Sequence, residues 1–226
     1  MNRNVKRLFF DNRYFLIPYI FVLLFVAVLL VFFSKPELHI FSNELHTPAL
    51  TVFFKYATFL GDGWMIAILF LALLIVRYRY ALAFLCGSLL ASLIVNLLKK
   101  VLLHDIYRPA KYFELFETYQ LWFAEGVKVH QLQSFPSGHT TVAFSVFFML
   151  AIVVKNNFLK ILFLIVAILT GYSRIYLSQH FLVDVAAGSL TGILCILFSV
   201  WWFNKQRAPW LENALLFKWK KSNESD

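Results

Sequence analysis

Two stretches of this sequence combine residue types that seldom share an apolar neighbourhood. One is FPSGHTT, residues 135–141, and the other is GYSRIYLSQHFLVDV, residues 171–185. Each sets a histidine at the mouth of a long apolar run: His139 ahead of VAFSVFFMLAIVV, and His180 ahead of FLVDVAAGSLTGILCILFSVWWF. Ser137, Ser173, Arg174 and Asp184 accompany them. Ionisable groups beside hydrocarbon are costly, so their presence points to function. An arginine binds anions, one histidine attacks, a second donates a proton, and a carboxylate orients an imidazole.

The spacing sharpens this chemistry. His180 and Asp184 are i and i+4, which puts them on one face of a helix. Asp184 then accepts a hydrogen bond from one ring nitrogen, fixes the tautomer, and leaves the other nitrogen aimed at the site. In Pro136-Ser137-Gly138-His139, proline and glycine start a helix and Ser137 caps it. The free N–H groups at such a start bind anions. Gly138 lets the backbone approach a phosphate closely, and His139 stands where it could protonate a leaving oxygen. Arg108 and Arg174 add planar donors that match phosphate oxygens. Together these residues predict an anion cage with one nucleophile and one acid, suited to phosphoryl transfer through a phosphohistidine.

Ser173-Arg174, five residues, His180, three residues, Asp184 is similar to the third signature of the type 2 phosphatidic acid phosphatase superfamily. PSGH resembles its second signature, and Arg108-Pro109 preceded by lysine its first. The resemblance implies that His180 is the nucleophile, Asp184 its partner and His139 the general acid. It implies that Arg108, Ser137, Gly138, Arg174 and a lysine hold the phosphate, and that no metal or other cofactor is needed. No carboxylate cluster suited to Mg²⁺ is evident in the sequence. The family places six residues between lysine and Arg-Pro, and here Val101 holds that position. Lys100, with seven residues between, is the expected phosphate-binding lysine, if the chain leaves helical geometry around His104-Asp105. Lys99 is expected to be a snorkelling interfacial charge.

The elements that must position these groups are apolar helices. Of the 226 residues 61% are hydrophobic, above the roughly 45–50% of soluble domains. The expected fold is all-α, a single polytopic membrane domain over residues 1–226 with interfacial loop helices. Six transmembrane helices are expected at about 14–33, 59–76, 81–98, 138–154, 158–172 and 181–203, each near the length that spans a bilayer. Residues 14–33 lack a signal-peptidase site and read as a retained span rather than a leader. Asp62, at the start of the second span, reads as an interfacial helix cap rather than a catalytic group. Gly87 with Ala91, and Gly188 with Gly192, are small-xxx-small pairs that predict close helix contacts. Residues 34–58 read as a connecting loop with room for a short amphipathic helix, and 99–136 as the longest loop. In the longer one, YFELFETYQLWF is expected to form a surface helix. Cys86 and Cys195 read as small core residues, without a disulfide or a metal.

The formal charge of +9 is distributed unevenly. With six spans, 13 Lys and Arg fall on the side of the termini and 8 on the other. The positive-inside rule then places both termini in the cytoplasm of a bacterial inner membrane, with the histidines facing outward. Such charge suits anionic headgroups, including an interfacial tail around Lys218, Lys220 and Lys221, rather than nucleic acid. The resulting expectation is a lipid phosphatase. Its substrate would be undecaprenyl diphosphate first, then phosphatidylglycerophosphate, phosphatidic acid or lipid A phosphate. A transporter or flippase for a phosphorylated lipid would use the same cage for binding alone. A vanadate-dependent haloperoxidase, also within the superfamily, fits six apolar spans poorly. Nothing in the sequence sets the oligomeric state.

Overall fold

A computed structural model describes residues 3–216. These fold into ten α-helices: α1 (Arg3–Asp11), α2 (Arg13–Phe32), α3 (Lys35–Glu44), α4 (Pro48–Ala57), α5 (Trp64–Val76), α6 (Tyr78–Leu97), α7 (Pro109–Phe116), α8 (Gly138–Val153), α9 (Asn157–Tyr176) and α10 (Leu182–Lys205). No strand occurs among the described residues.

Four helices are long and apolar enough to cross a membrane: α2, α6 with its extension to Leu102, α9 and α10. A fifth crossing would need Pro48–Gly61 and Trp64–Val76 to act together, although the chain bends by 57° between them. The expected helix at 138–154 is present as α8, but its 16 residues make it shorter than the other crossing helices. The structure thus supplies four or five crossing helices by length, plus a short apolar one, where six spans were expected. The molecule wears its hydrophobicity outward. Phe21, Phe25 and Val31 of α2, Leu93 of α6 and Leu194 of α10 are all exposed, a surface suited to lipid and a liability in water.

The core lies where α6, α8, α9 and α10 meet, with Phe84, Val146, Phe148, Met149, Ala167 and Ile196 almost wholly buried. The expected small-residue contacts are there. A Cβ on Gly188 would stand 2.5 Å from the carbonyl oxygen of Ser137, and one on Gly192 would stand 2.5 Å from that of Thr141. The α10 backbone therefore rests directly on the start of α8. Gly87 packs likewise on Cys195 and Ile196 of α10. Cys195 is buried, but Cys86 faces outward and is exposed, contrary to the core placement expected for both.

The connecting segments differ from expectation in instructive ways. Residues 34–58 carry two helices, where a loop with room for one short helix was expected. Ser34 and Thr47 cap α3 and α4, and a proline stands in the first turn of each, both strong start signals. The surface helix expected from YFELFETYQLWF ends at Phe116. Beyond it the chain is irregular and is fastened to α3, where Asn43 exchanges two hydrogen bonds with the backbone of Trp122. At the end bearing the termini, Arg79 binds Glu212 and the carbonyls of Phe203 and Gln206. There too, buried Lys160 donates to Asp11 and Asn12. Lys218, Lys220 and Lys221 lie outside the described residues.

Candidate active site

The α9 helix runs further than the expected 158–172, so Ser173 and Arg174 sit on its last turn rather than in a loop. No helix breaker intervenes before Ser178, whose φ of +52° ends the helix. The turn then folds back on itself. The carbonyl of Arg174 accepts from the N–H groups of both Gln179 (2.9 Å) and His180 (3.1 Å). His180 is thereby tied to Arg174 through the backbone. From the other side, His39 and Asn43 of α3 each reach the Ser178 hydroxyl at 3.2 Å. Burial holds the His39 imidazole down at about 3, so it serves as a neutral polar brace.

His180 is buried, and its Nδ1 lies 3.4 Å from Oδ2 of Asp184. The same oxygen accepts from the Phe181 N–H at 3.0 Å and from the Ser134 hydroxyl. Three donors thus fix the carboxylate. Burial holds the His180 imidazole well below the usual histidine range, and Arg108, Lys99, Arg174 and His139 reinforce the effect. Burial thus favours the neutral form of the ring, whose Nδ1 is held by Asp184.

The Ser137 hydroxyl accepts from the Thr140 hydroxyl at 2.8 Å and its N–H at 3.4 Å, capping α8 as expected. The N–H groups of Gly138 and His139 are left free of the cap, as first-turn groups are. The Ser137 N–H donates to the Asp184 carbonyl at 2.9 Å, which joins the PSGH turn to α10. Arg108 is braced by the Leu132 carbonyl at 2.9 Å and the Gln179 carbonyl at 3.3 Å. Arg174 is almost wholly buried and donates through Nη1 to the Thr58 hydroxyl at 2.6 Å, but its buried Nε has no partner. A buried guanidinium with an unused donor suits a missing anion.

The structure separates the two candidate lysines, Lys99 and Lys100. Residues Leu98–Leu102 form a π-turn at the end of α6, which widens the helix by one residue per turn. Lys99 lines a cavity of about 250 Å³ with Gly138 and His139, while Lys100 is exposed and lies outside that lining. The turn at His104-Asp105 is present and takes up the rest of the added length. Two other residues escaped the sequence reading. Ser134 holds Asp184, and nothing in its local pattern announces this. Asp62 does not cap a helix: its Oδ1 lies 2.8 Å from Nε2 of His139. Glycines on both sides of Asp62, inside an apolar run, were the available signal of a break.

The fold and site define a helical membrane protein with a buried histidine and carboxylate facing a cluster of cations beneath a helix start. Residues 80–208 match the PAP2 superfamily, and the chain belongs to that family. The match spans all three motifs. The bacitracin transport permease protein BcrC of Bacillus licheniformis is 33% identical over 122 residues, or 50% of this chain and 53% of that protein. The chain thus spans about half the length of this curated relative. The crystal structure of Aquifex aeolicus LpxE is similar with a TM-score of 0.65 and 30% identity, over 75% of this chain and 96% of that one. A transmembrane PAP2 type phosphatidylglycerolphosphate phosphatase from Bacillus subtilis shares the fold, with a TM-score of 0.61, 24% identity, and coverage of 84% and 96%.

Proposed function

We propose that this chain is a lipid phosphatase, moving the terminal phosphoryl group of a membrane lipid phosphate or diphosphate to His180 and then to water. The observation that carries the reading is the convergence of Arg108, Arg174, Lys99 and His139 on a neutral, carboxylate-held His180. In the first step Nε2 of His180 attacks phosphorus and the bond to the lipid oxygen breaks. His139 gives that oxygen a proton. Asp184 stabilises the positive charge on the phosphorylated ring through Nδ1–H. In the second step water attacks phosphorus, His139 takes a proton from the water, and inorganic phosphate leaves His180 free. Arg108, Arg174, Lys99 and the N–H groups of Gly138 and His139 hold the charged oxygens throughout. Ser137 supports them by fixing the helix start.

Undecaprenyl diphosphate heads the candidate substrates, followed by phosphatidylglycerophosphate, phosphatidic acid and lipid A phosphate, which present a similar phosphate end. The site cations supply the charge neutralisation that Mg²⁺ provides elsewhere, so the reaction is read as metal-independent. The name of the Bacillus licheniformis relative, a bacitracin transport permease protein, favours transport as a second reading; in this chain the same cage would then bind a phosphorylated lipid without cleaving it. Purified protein in detergent, offered the four lipids in the presence of EDTA, separates the two. Phosphatase activity releases inorganic phosphate, whereas a carrier releases none. His180→Ala should abolish the release, and Asp184→Asn should lower it at least about 100-fold by misorienting the ring. Near-normal release by His180→Ala would rule out the phosphohistidine route.

A further inference from the structure

The bend between α4 and α5 delivers two side chains to the site that none of the three motifs contains. Thr58 and Asp62 bracket the 3₁₀ turn Thr58–Gly61, which breaks an otherwise apolar span. Thr58 accepts from Arg174. Asp62 places Oδ1 2.8 Å from His139 Nε2, and its other oxygen accepts from the Trp64 indole N–H at 3.3 Å. No backbone N–H binds the Asp62 carboxylate among the described residues, so it is not a cap. The approach is closely built, since a Cβ on Gly61 would stand 2.6 Å from the carbonyl oxygen of His139. The groups facing His139 are Asp62 from the bend, Arg174 from α9, Lys99 from the π-turn and His180 beyond α9. Of these, Asp62 alone carries negative charge.

We propose that Asp62 is the positioning residue of the acid: it holds His139 by Nε2, so that Nδ1 delivers the proton to the leaving oxygen. This inference rests on the phosphatase reading above. The problem it addresses is specific. A proton donor surrounded by two cations and a second imidazole is poorly suited to carrying positive charge. A carboxylate against the far nitrogen offsets that repulsion and fixes the ring, the arrangement Asp184 provides for His180. The proton balance follows. In its proton-donating form His139 is the imidazolium, with Nε2–H on Asp62 and Nδ1–H toward the lipid oxygen. Nδ1 loses its proton as the P–O bond breaks, and regains one from the attacking water.

The test compares a lipid phosphate, whose alkoxide leaving group needs a proton, with p-nitrophenyl phosphate, whose leaving group does not. Asp62→Asn should lower kcat for the lipid at least about thirtyfold. It should change the rate with p-nitrophenyl phosphate by less than about threefold. The alkaline limb of the kcat–pH profile should move to lower pH, because the imidazolium has lost its counter-charge. Asp62→Glu retains the carboxylate and should hold the lipid-to-aryl rate ratio within about threefold of the parent. Should Asp62→Asn fail to fold, Asp62→Ala, which also removes the carboxylate, is read in its place against the same thresholds. Equal losses with both substrates in the variant lacking the carboxylate, or an unchanged ratio and pH profile there, overturn the inference, as does an Asp62→Glu ratio that falls as far as that of the carboxylate-free variant. If the unaltered protein releases no phosphate from either substrate, the phosphatase reading itself fails.

Discussion

Lys99 and Lys100 stand one position apart, and their surroundings separate them. Lys99 shares a cavity with His139 and Gly138, whereas Lys100 is exposed. Lys99→Ala should therefore lower kcat/KM at least about tenfold, equivalent to roughly 1.4 kcal/mol of transition-state binding. Lys100→Ala should change it by less than about threefold. Steady-state kinetics on one lipid phosphate checks both, and a damaging Lys100→Ala beside a silent Lys99→Ala would refute the assignment. At this scale the sequence was informative wherever chemistry and local spacing coincided. His180 and Asp184 pair as their four-residue spacing suggested, but His180 precedes α10 instead of lying on its face, and the bond of its N–H to the Arg174 carbonyl helps bring the ring to Asp184. The lysine was different, since counting along an ideal helix fails when one turn is π, and it is Lys99 that the fold brings beside His139. The contacts of Ser134 and Asp62 were illegible for another reason: each acts across some 50 to 80 positions, and the glycines beside Asp62 signal a break in the span but not its partner.

At the level of elements, the apolar runs announced their helices, and the small residues announced which faces meet. Gly188 and Gly192 were read as a contact, and their partner proves to be the backbone of α8 itself. Gly188→Ala forces a Cβ against the Ser137 carbonyl, and overpacking of this kind costs about 1–3 kcal/mol. The melting temperature in detergent should fall by about 2–12 °C. Gly63 makes the control, because a Cβ there meets nothing within 4 Å. Gly63→Ala should shift the melting temperature by less than about 1 °C. Equal shifts in the two variants would show that the tight contact contributes nothing. Helix ends were less legible than helices. The last turn of α9 was cut short because a serine and an arginine look like a loop, yet both helix and cage require them there. The helix expected beyond Phe116 failed for the converse reason, as its aromatics serve the packing of an irregular strap against α3.

For the whole molecule, the two ends differ in chemistry. Asn12, Lys160, Arg79 and Glu212 cluster at one, and His39, His139, His180, Arg108 and Arg174 at the other. The charge distribution over the sequence is what leads one to expect the first cluster on the cytoplasmic side. With Cys86 and Cys195 replaced, a single cysteine at exposed Val129 should react with an impermeant maleimide from outside intact cells. One at exposed Asn157 should react only after permeabilisation. The opposite pattern would invert the proposed orientation. The number of crossings was the least legible property at this scale. A bent apolar run and a continuous one have the same composition, and only the fold shows that 48–76 turns by 57°.

The brevity of α8 has a consequence for the lipid. Its 16 residues measure about 24 Å along the axis, some 6 Å less than a typical hydrocarbon core. If its far end reaches one headgroup layer, its start, with Ser137 and His139, stops about one turn short of the other. The phosphate of an approaching lipid must then sink below the plane of its neighbours, shedding water before any bond changes. The membrane would be dimpled above the site, and a thinner bilayer would shorten the descent.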